Sequence, residues 1–221
     1  MALTDRAGAA GGRDNDLASI AEARSLARRA KAAAPALAEF TQEQIDRLID
    51  AMAAAVTPQA EALARLAHEE TGYGVIADKV QKNLFASQKV YDFIRPMRTV
   101  GVIRRLDDRK VIEIAEPFGV VCAIVPTTNP TSTAIYKILI SIKARCPIVI
   151  SPHPSAVRCI SRSAEIMVEA GRRAGLPDGA IVVIDGHGLS CRRCFIGVGF
   201  AAAGREQQGR RDRSKHQFLH G

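Results

Sequence analysis

A polar loop between a predicted strand and a predicted helix holds the residues best suited to chemistry. An apolar run ends at Val125, the loop 126–130 reads Pro-Thr-Thr-Asn-Pro, and a helical segment begins at Thr131. Hydroxyl groups and free backbone N–H groups at the start of a helix bind anions and polar ligands, because the helix dipole leaves partial positive charge there. The pattern therefore predicts a ligand site at the carboxyl end of a parallel strand.

Asn129 is the candidate catalytic residue of this loop. Its neutral amide N–H can donate to a carbonyl oxygen and so stabilise negative charge that develops on that oxygen, without the transfer of a proton. A structural interpretation stands beside this one, because Asn is also a favoured helix N-cap and turn residue. The residue types alone do not decide between an oxyanion donor and an N-cap.

The five cysteines form neither a disulfide framework nor a metal site in the sequence. Cys122 lies in the middle of an apolar strand, Cys146 precedes the next strand, and Cys159 lies on a helix. Cys191 and Cys194 have the spacing of zinc ligands, but a structural zinc site needs a second pair. We therefore expect reduced thiols, a cytoplasmic protein and no bound metal.

The elements that position the loop alternate between strand and helix. Strands are predicted at 119–125, 148–151 and 180–184, with helices at 131–145 and 155–174 between them. The strands are short, unbroken apolar runs, which is typical of parallel strands covered on both faces. This βαβαβ order predicts an α/β fold and, within it, the first half of a doubly wound, Rossmann-like parallel sheet.

A helical region (16–95) and a β-hairpin (100–116) precede this sheet. Four helices are predicted, which begin at Leu17, after the capping box Thr41–Gln44, at Pro58 and at Asp78. Helical spacing places four apolar residues of the fourth helix on its buried face, namely Val80, Leu84, Val90 and Ile94. β-branched residues on either side of the charged turn 107–109 predict the hairpin.

Four short runs in and around the sheet region carry a specific resemblance. They are Glu116–Val121 (EPFGVV), Val125–Ile135 (VPTTNPTSTAI), Ser151–Pro154 (SPHP) and Ala174–Pro177 (AGLP). In this order they resemble the aldehyde dehydrogenase superfamily and, within it, the CoA-acylating branch. Thr128 and Ser151 stand where the hydrolytic branch usually has an aromatic residue and a lysine, which favours the CoA-dependent branch.

The resemblance implies a reaction and its cofactors. A short aldehyde, of the acetaldehyde or sulfoacetaldehyde class, would be oxidised to its acyl-CoA by an enzyme that uses NAD, with CoA as co-substrate. In such enzymes a cysteine thiolate attacks the aldehyde, hydride passes to NAD, and CoA then takes the acyl group. A full-length family member would be a homo-oligomer with a small aldehyde as its substrate.

The resemblance also implies roles for particular residues. By matching motif, Asn129 would donate to the oxyanion of the tetrahedral intermediate. The nicotinamide end of the cofactor cleft would be lined by Pro126, Thr127 and Thr128, and the adenosine end by Ser151, Pro152 and His153. His153 has an alternative interpretation as a turn residue between two prolines.

The chain divides into three predicted parts. Residues 1–15 form a disordered leader, residues 16–186 a truncated NAD-binding domain of the aldehyde dehydrogenase type, and residues 187–221 a divergent basic tail. Most of the net charge of +8 comes from the tail, so we expect no specific nucleic-acid partner. No apolar run reaches the roughly 20 residues of a membrane span, so we expect no membrane association.

The resemblance stops after Gly186, and the matching part contains no counterpart of the family's catalytic cysteine. We therefore expect a truncated, inactive chain, in which a frameshift or truncation replaced the rest of the enzyme. A genuine short protein with its own C-terminus is the alternative origin of the tail. The alternative function is a non-catalytic nucleotide- or partner-binding fragment whose basic tail serves interaction.

Overall fold

The computed structural model describes the chain from Arg6 to Ile184, with side chains from Leu17 onward. The chain divides into two compact units, one formed by residues 1–24 together with 186–221 and the other by residues 25–185. In the first unit, the described residues form the beginning of a long helix. The second unit contains all the other described elements. The predicted tail 187–221 lies outside the described residues.

The described residues contain seven α-helices and five strands. The helices are α1 (Arg6–Ala38), α2 (Gln42–Val56), α3 (Ala60–Thr71), α4 (Ile76–Leu84), α5 (Val90–Ile94), α6 (Pro130–Lys143) and α7 (Val157–Arg173). The strands are β1 (Gly101–Leu106), β2 (Val111–Ala115), β3 (Val121–Val125), β4 (Ile148–Pro152) and β5 (Ile181–Val183). A π-helical segment, Phe85–Lys89, joins α4 to α5. This architecture confirms the predicted α/β fold with a helical region, a hairpin and a parallel sheet.

The first helix is longer than the sequence predicts. It begins at Arg6, within the segment 1–15 expected to be a disordered leader. The Ala and Arg residues between Arg6 and Asp16 are strong helix formers. Adding turns to an existing helix requires no new nucleation, so these residues extend α1 despite three glycines.

The parallel sheet has the order β3-β4-β5. Val125 at the end of β3 is paired with Pro152 at the end of β4, and Ile150 is paired with Val183 of β5. The helices α6 and α7 pack against each other and against the sheet, so they cover the same face. On the other face, Ile124 of β3 is exposed. The expectation that all three strands are covered on both faces is therefore wrong for β3.

The core lies between the helices and the sheet. The capping box of α2 is present as predicted, with the Thr41 hydroxyl accepting from the Gln44 N–H and the Gln44 side chain accepting from the Thr41 N–H. The α2 helix packs against α6 and α7. The largest fully buried side chains are Leu37, Ile45, Leu48, Ile49, Met52, Leu63, Ile135, Ile138, Leu139, Ile142, Ile148 and Ile150.

A buried ion pair ties α6 to α2. The Lys143 side chain is 3% exposed, and its Nζ lies 2.6 Å from Asp46 Oδ1. Lys143 Nζ also donates to the carbonyl oxygen of Arg95, at 2.9 Å. A buried ammonium group must have such partners, because its desolvation in isolation is very costly. The carboxyl end of α6 is therefore fixed against both α2 and the segment after α5.

The buried face of α4 differs from the prediction. The buried side chains of this helix are the polar Lys79 and Asn83, whereas Val80 and Leu84 are only half-buried. The periodicity of the apolar residues predicts the wrong stripe, because the face of α4 turned inward meets polar backbone groups of the loop before α6. Of the two predicted residues further along, Ile94 is buried and Val90 half-buried.

Gly179, in the turn before β5, lies so close to the backbone of α1 that there is no room for a Cβ atom. It adopts φ +81°, and a Cβ built on it would lie 2.9 Å from the backbone oxygen of Arg29 in α1. Gly175, in the turn that directly follows α7, also has a positive φ, of +97°, but a Cβ there would meet nothing within 4 Å. Both glycines thus adopt a positive φ, but only Gly179 lies against the backbone of α1.

We predict that Gly179→Ala destabilises the protein more than Gly175→Ala. Both substitutions force Ala into an unfavourable backbone region, at a cost of about 1–2 kcal/mol. Gly179→Ala also drives Cβ against the Arg29 carbonyl, which adds about 1–3 kcal/mol. Urea unfolding of both variants measures the difference, and equal losses of stability would contradict the close approach of α1.

Candidate active site

The two predicted cofactor segments lie side by side at the carboxyl edge of the sheet. The loop 126–129 leaves β3, and residues 153–156 leave β4. The N–H of His153 donates to the carbonyl oxygen of Val125 at 3.0 Å, which joins the two segments directly. Parallel strands present their carboxyl ends at one edge, and in open α/β sheets this edge binds ligands. The structure therefore brings both predicted segments to one place.

Asn129 occupies the N-cap position of α6, but its side chain does not cap the helix. Its backbone carbonyl accepts from the N–H of Thr133 at 3.2 Å, which closes the first turn. Its side-chain Oδ1 accepts instead from Lys82 Nζ, at 2.9 Å. The N-cap interpretation of the Asn129 side chain is therefore wrong. The amide is turned away from the helix backbone and towards α4.

The α4 helix contacts the loop at two points and the first turn of α6 at a third. Lys79 Nζ donates to the Thr128 carbonyl at 3.2 Å, and Lys82 reaches Asn129 as described. Asn83, which is 1% exposed, donates through Nδ2 to the Ala60 carbonyl at 2.9 Å. Its Oδ1 accepts from the Thr131 hydroxyl at 2.7 Å. These side chains, one helical turn apart, connect α4 to the end of the loop and to the beginning of α6.

Burial and charge act together on Lys79. Desolvation of its ammonium group lowers the pKa below the ordinary value for lysine, and the nearby positive charge of Lys82 lowers the pKa further. The side chain is nonetheless buried with a loop carbonyl as its partner. The lysine pair therefore creates a region of positive potential directly behind the loop.

An open cleft of about 720 Å³ lies beside Asn129. Its lining combines an apolar part with a few polar side chains and comprises Gln81, Lys82, Leu84, Phe85, Ala86, Gln88, Lys89, Asn129, Ser132, Thr133 and Tyr136. The π-helical segment Phe85–Lys89 supplies part of one wall, and such segments occur frequently at functional sites. The cleft can take a small organic molecule with a polar atom next to the Asn129 amide.

Asn129 is the only predicted site residue in the described lining of this cleft. The predicted cofactor residues lie at the sheet edge nearby, where Pro126 and Thr128 are exposed and Thr127 is half-buried. Of the second group, Ser151 is buried at 4% exposure, and Pro152 and His153 are half-buried. His153 Nδ1 accepts from the N–H of Ser155 at 3.2 Å, so this side chain caps a short turn, as its alternative interpretation expects.

Glu70 is a structurally important residue that the sequence analysis missed. Its two carboxylate oxygens accept from the N–H groups of Arg158 and Cys159 at the start of α7, at 2.8 and 2.7 Å. The carboxylate thus satisfies free N–H groups and complements the helix dipole. No local pattern could reveal this cap, since the residues are 88 and 89 positions apart in the chain.

The environment of Cys159 makes this thiol unreactive. Burial raises its pKa strongly, and the hydrogen bond and negative charge of Glu70 raise the pKa further. The nucleophile in cysteine chemistry is the thiolate, so a raised pKa suppresses reactivity. Cys146 is also buried and accepts from the Phe118 N–H, at 3.3 Å. Neither thiol lines the cleft beside Asn129.

The loop and the strand ends contain the motifs that resemble one family, and comparison with known proteins identifies the same family. Residues 14–197 match the model of the Aldehyde dehydrogenase family, and the chain therefore belongs to that family. The match extends past Gly186, so the expectation that the resemblance stops there is wrong. No helix in the described part of the chain combines the length and apolar character needed to cross a membrane.

The relatives include acylating enzymes. The chain is 45% identical over 166 residues to the bifunctional aldehyde-alcohol dehydrogenase AdhE of Escherichia coli (strain K12), with 75% of this chain and 19% of the relative covered. It is 33% identical to the sulfoacetaldehyde dehydrogenase (acylating) of Bilophila wadsworthia (strain 3_1_6), with 75% of this chain and 36% of the relative covered.

A solved structure matches both sequence and fold. The acetylating aldehyde dehydrogenase of Geobacillus thermoglucosidasius has 50% sequence identity and a TM-score of 0.75, with 77% of this chain and 38% of that chain covered. The present chain thus spans well under half the length of each of these three proteins. The match confirms the family and the fold that the sequence motifs predict.

We predict that iodoacetamide at pH 8 alkylates Cys122 at least about tenfold faster than Cys159. Cys122 is exposed, whereas Cys159 is buried with a raised pKa. Mass spectrometry of the peptides after timed quenching measures both rates in one sample. Alkylation in 8 M urea is the control, because unfolding removes the difference in burial. Equal rates in the native protein would contradict the described environment of Cys159.

Proposed function

We propose that this chain forms part of an acylating aldehyde dehydrogenase that oxidises a short aldehyde with NAD and CoA. One observation carries the proposal: the Asn129 amide lies beside an open cleft and contacts Lys82 instead of capping its own helix. A polar amide in this position suits the stabilisation of a carbonyl oxygen better than it suits the folding of α6. The acylating relatives support the reaction class.

Asn129 acts on the substrate oxygen in this proposal. Its Nδ2–H donates to the aldehyde oxygen as a thiolate adds to the carbon and negative charge develops. A fixed amide donor is worth about 10²–10³ in rate when it meets the oxyanion rather than the ground-state carbonyl. The positive N-terminus of α6 and the nearby ammonium group of Lys79 favour the same charge.

The cofactor residues fit the sheet edge. The hydroxyl groups of Thr127 and Thr128 stand at the exposed end of β3, and the turn at His153 begins beside them. Pro126, Thr127 and Thr128 would contact the nicotinamide end of NAD, and Ser151, Pro152 and His153 the adenosine end. When bound, NAD supplies the hydride acceptor and CoA supplies the thiol that receives the acyl group.

The nucleophile comes from outside the described residues in this proposal. Cys146 and Cys159 are buried, and the cleft lining in the described part of the chain contains no cysteine. The sulfoacetaldehyde dehydrogenase (acylating) among the relatives supports a two-carbon aldehyde as substrate. The thiols of Cys146 and Cys159, which form no disulfide, fit a reducing compartment such as the cytoplasm.

The hairpin supports a homo-oligomer as part of the same proposal. Its strands expose several large apolar side chains, namely Ile103, Val111, Ile112 and Ile114, and Phe118 just after β2 is 93% exposed. Exposed apolar groups of this extent on neighbouring strands are typical of surfaces that another chain covers. A second copy of the full enzyme is the partner that we propose.

We predict that the purified 221-residue chain has no acylating dehydrogenase activity by itself. Since no cysteine of the described residues lines the cleft beside Asn129, we expect the covalent step to lack its nucleophile, which an oxyanion donor cannot replace. NADH formation from acetaldehyde, NAD and CoA, followed at 340 nm, measures this. CoA-dependent turnover would contradict the prediction and would direct attention to the five cysteines that the chain contains.

The role of Asn129 can be measured in a chimera that supplies the rest of the enzyme. Residues 25–184 replace the matching segment of the Geobacillus thermoglucosidasius enzyme, and we expect the chimera to oxidise acetaldehyde. Asn129→Ala should lower kcat by about 10²–10³ with little change in KM for NAD. Gln81→Ala, which alters the same cleft but not the amide, is the matched control. An effect confined to KM for NAD would instead make Asn129 a cofactor contact.

An inactive chimera that is nevertheless folded by circular dichroism would contradict the proposed enzyme function. In that case the alternative, a nucleotide- or partner-binding fragment, would be favoured if the chain alone bound NAD in calorimetry.

A further inference from the structure

Lys82 and Asn129 are 47 residues apart in the sequence, and their side chains are in contact. Lys82 Nζ lies 2.9 Å from Asn129 Oδ1, and both side chains line the cleft. Among the described residues, the Asn129 side chain has no hydrogen-bond partner other than Lys82. The orientation of the amide therefore depends on this single contact.

We propose that Lys82 is a positioning residue, which holds the Asn129 amide with Oδ1 towards α4 and Nδ2 towards the bound substrate. The proposal rests on the proposed role of Asn129 as oxyanion donor. Lysine supplies three donors and no acceptor, so only the oxygen of the amide can face it. The nitrogen is then directed to the opposite side. Without Lys82, the amide can rotate and present its oxygen to the substrate, where it would repel the oxyanion.

The charge of Lys82 also acts through the amide. A hydrogen bond from a cation is stronger than one between neutral groups, and it polarises the acceptor. Polarisation of the C=O bond by the ammonium group makes the Nδ2–H groups better donors. Lys82 thus both directs the amide and increases its capacity to stabilise negative charge, although it does not itself touch the substrate.

The support for Lys82 is built into α4. Asn83 next to it is fully buried and bonded on both sides, to Ala60 and Thr131. Lys79, one turn earlier, holds the Thr128 carbonyl. These contacts set the distance between α4 and the loop, across which the Lys82 ammonium reaches the amide. Rigid support of this kind is what a preorganised catalytic group requires.

The contact contributes little to folding. The Lys82–Asn129 hydrogen bond is exposed, and exposed interactions of a charged group are worth little in stability, because water competes for both partners. Asn83 and Lys79 remain in place when Lys82 is replaced. Loss of Lys82 should therefore lower the rate of reaction without unfolding the loop, which separates a positioning role from a structural one.

The test is a double-mutant cycle in the active chimera. Lys82→Met should lower kcat about tenfold, with unchanged thermal stability and KM for NAD, because the amide is no longer directed. Lys82→Arg, which keeps a cationic donor, should restore most of the rate. Lys31→Met is the matched control, because it removes the charge of an exposed lysine on α1 that lies outside the cleft lining.

Lys82 could act through the Asn129 amide or directly on the oxyanion. Measuring Lys82→Met in a variant that already carries Asn129→Ala distinguishes the two. If Lys82 works through the amide, Lys82→Met changes kcat less than twofold when Asn129 is already Ala. An equal, tenfold loss in both backgrounds would mean that the ammonium acts directly on the oxyanion, and the positioning role would be wrong. An unchanged kcat in the single variant Lys82→Met would equally overturn it.

A second measurement uses the 221-residue chain itself and does not depend on activity. In ¹⁵N-labelled protein, the side-chain NH₂ signals of Asn129 are assigned by their loss in Asn129→Ala. We expect Lys82→Met to shift these signals and Lys31→Met to leave them in place. Unchanged signals in Lys82→Met would overturn the contact. A shift together with an inactive chimera would support the contact and contradict the proposed function instead.

Discussion

The buried amide of Asn83 is the constraint on which the site depends. A buried side-chain amide must satisfy both its oxygen and its nitrogen, because each unpaired group costs about 1–3 kcal/mol. Asn83 does so by bonding to the first residue of α3 and to the first turn of α6. The α4 helix is thereby fixed against the loop after β3. In this arrangement the neighbouring lysines reach the loop, and Lys82 holds the amide of Asn129 away from its own helix.

Most of the fold could be predicted from local signals. The capping box at Thr41, the apolar runs of the three parallel strands and the charged turn of the hairpin all depend on residues close together in the chain, and the structure agrees with each. The beginning of α1 and the open face of β3 could not be predicted in the same way. The first depends on how far a helix extends once it has formed, and the second on which elements cover a strand.

The site was only partly predictable. The loop around Asn129 follows β3, and the segment at Ser151 forms the end of β4. Neighbouring parallel strands bring such segments together, so their proximity could be predicted. The partners of the loop could not. Lysines on a helix usually face solvent, and apolar spacing on α4 indicates a different buried stripe from the one that contains Lys79 and Asn83. The cap that Glu70 provides to α7 could not be predicted either, because its partners are distant in sequence.

The π-helical segment Phe85–Lys89 sets the phase between the two parts of one continuous helix. Each residue advances an α-helix by about 100°, so a wider turn changes the direction of everything that follows it. Before the segment, α4 directs its polar side chains to the loop; after it, α5 directs Tyr91 to Asp50 of α2, 2.7 Å away. If the same residues formed a regular α-helix without this wider turn, the part after Lys89 would be rotated by about 100° relative to α4. The loop and the core could then not both be reached, which makes the winding of this helix, and not only its composition, a determinant of the site.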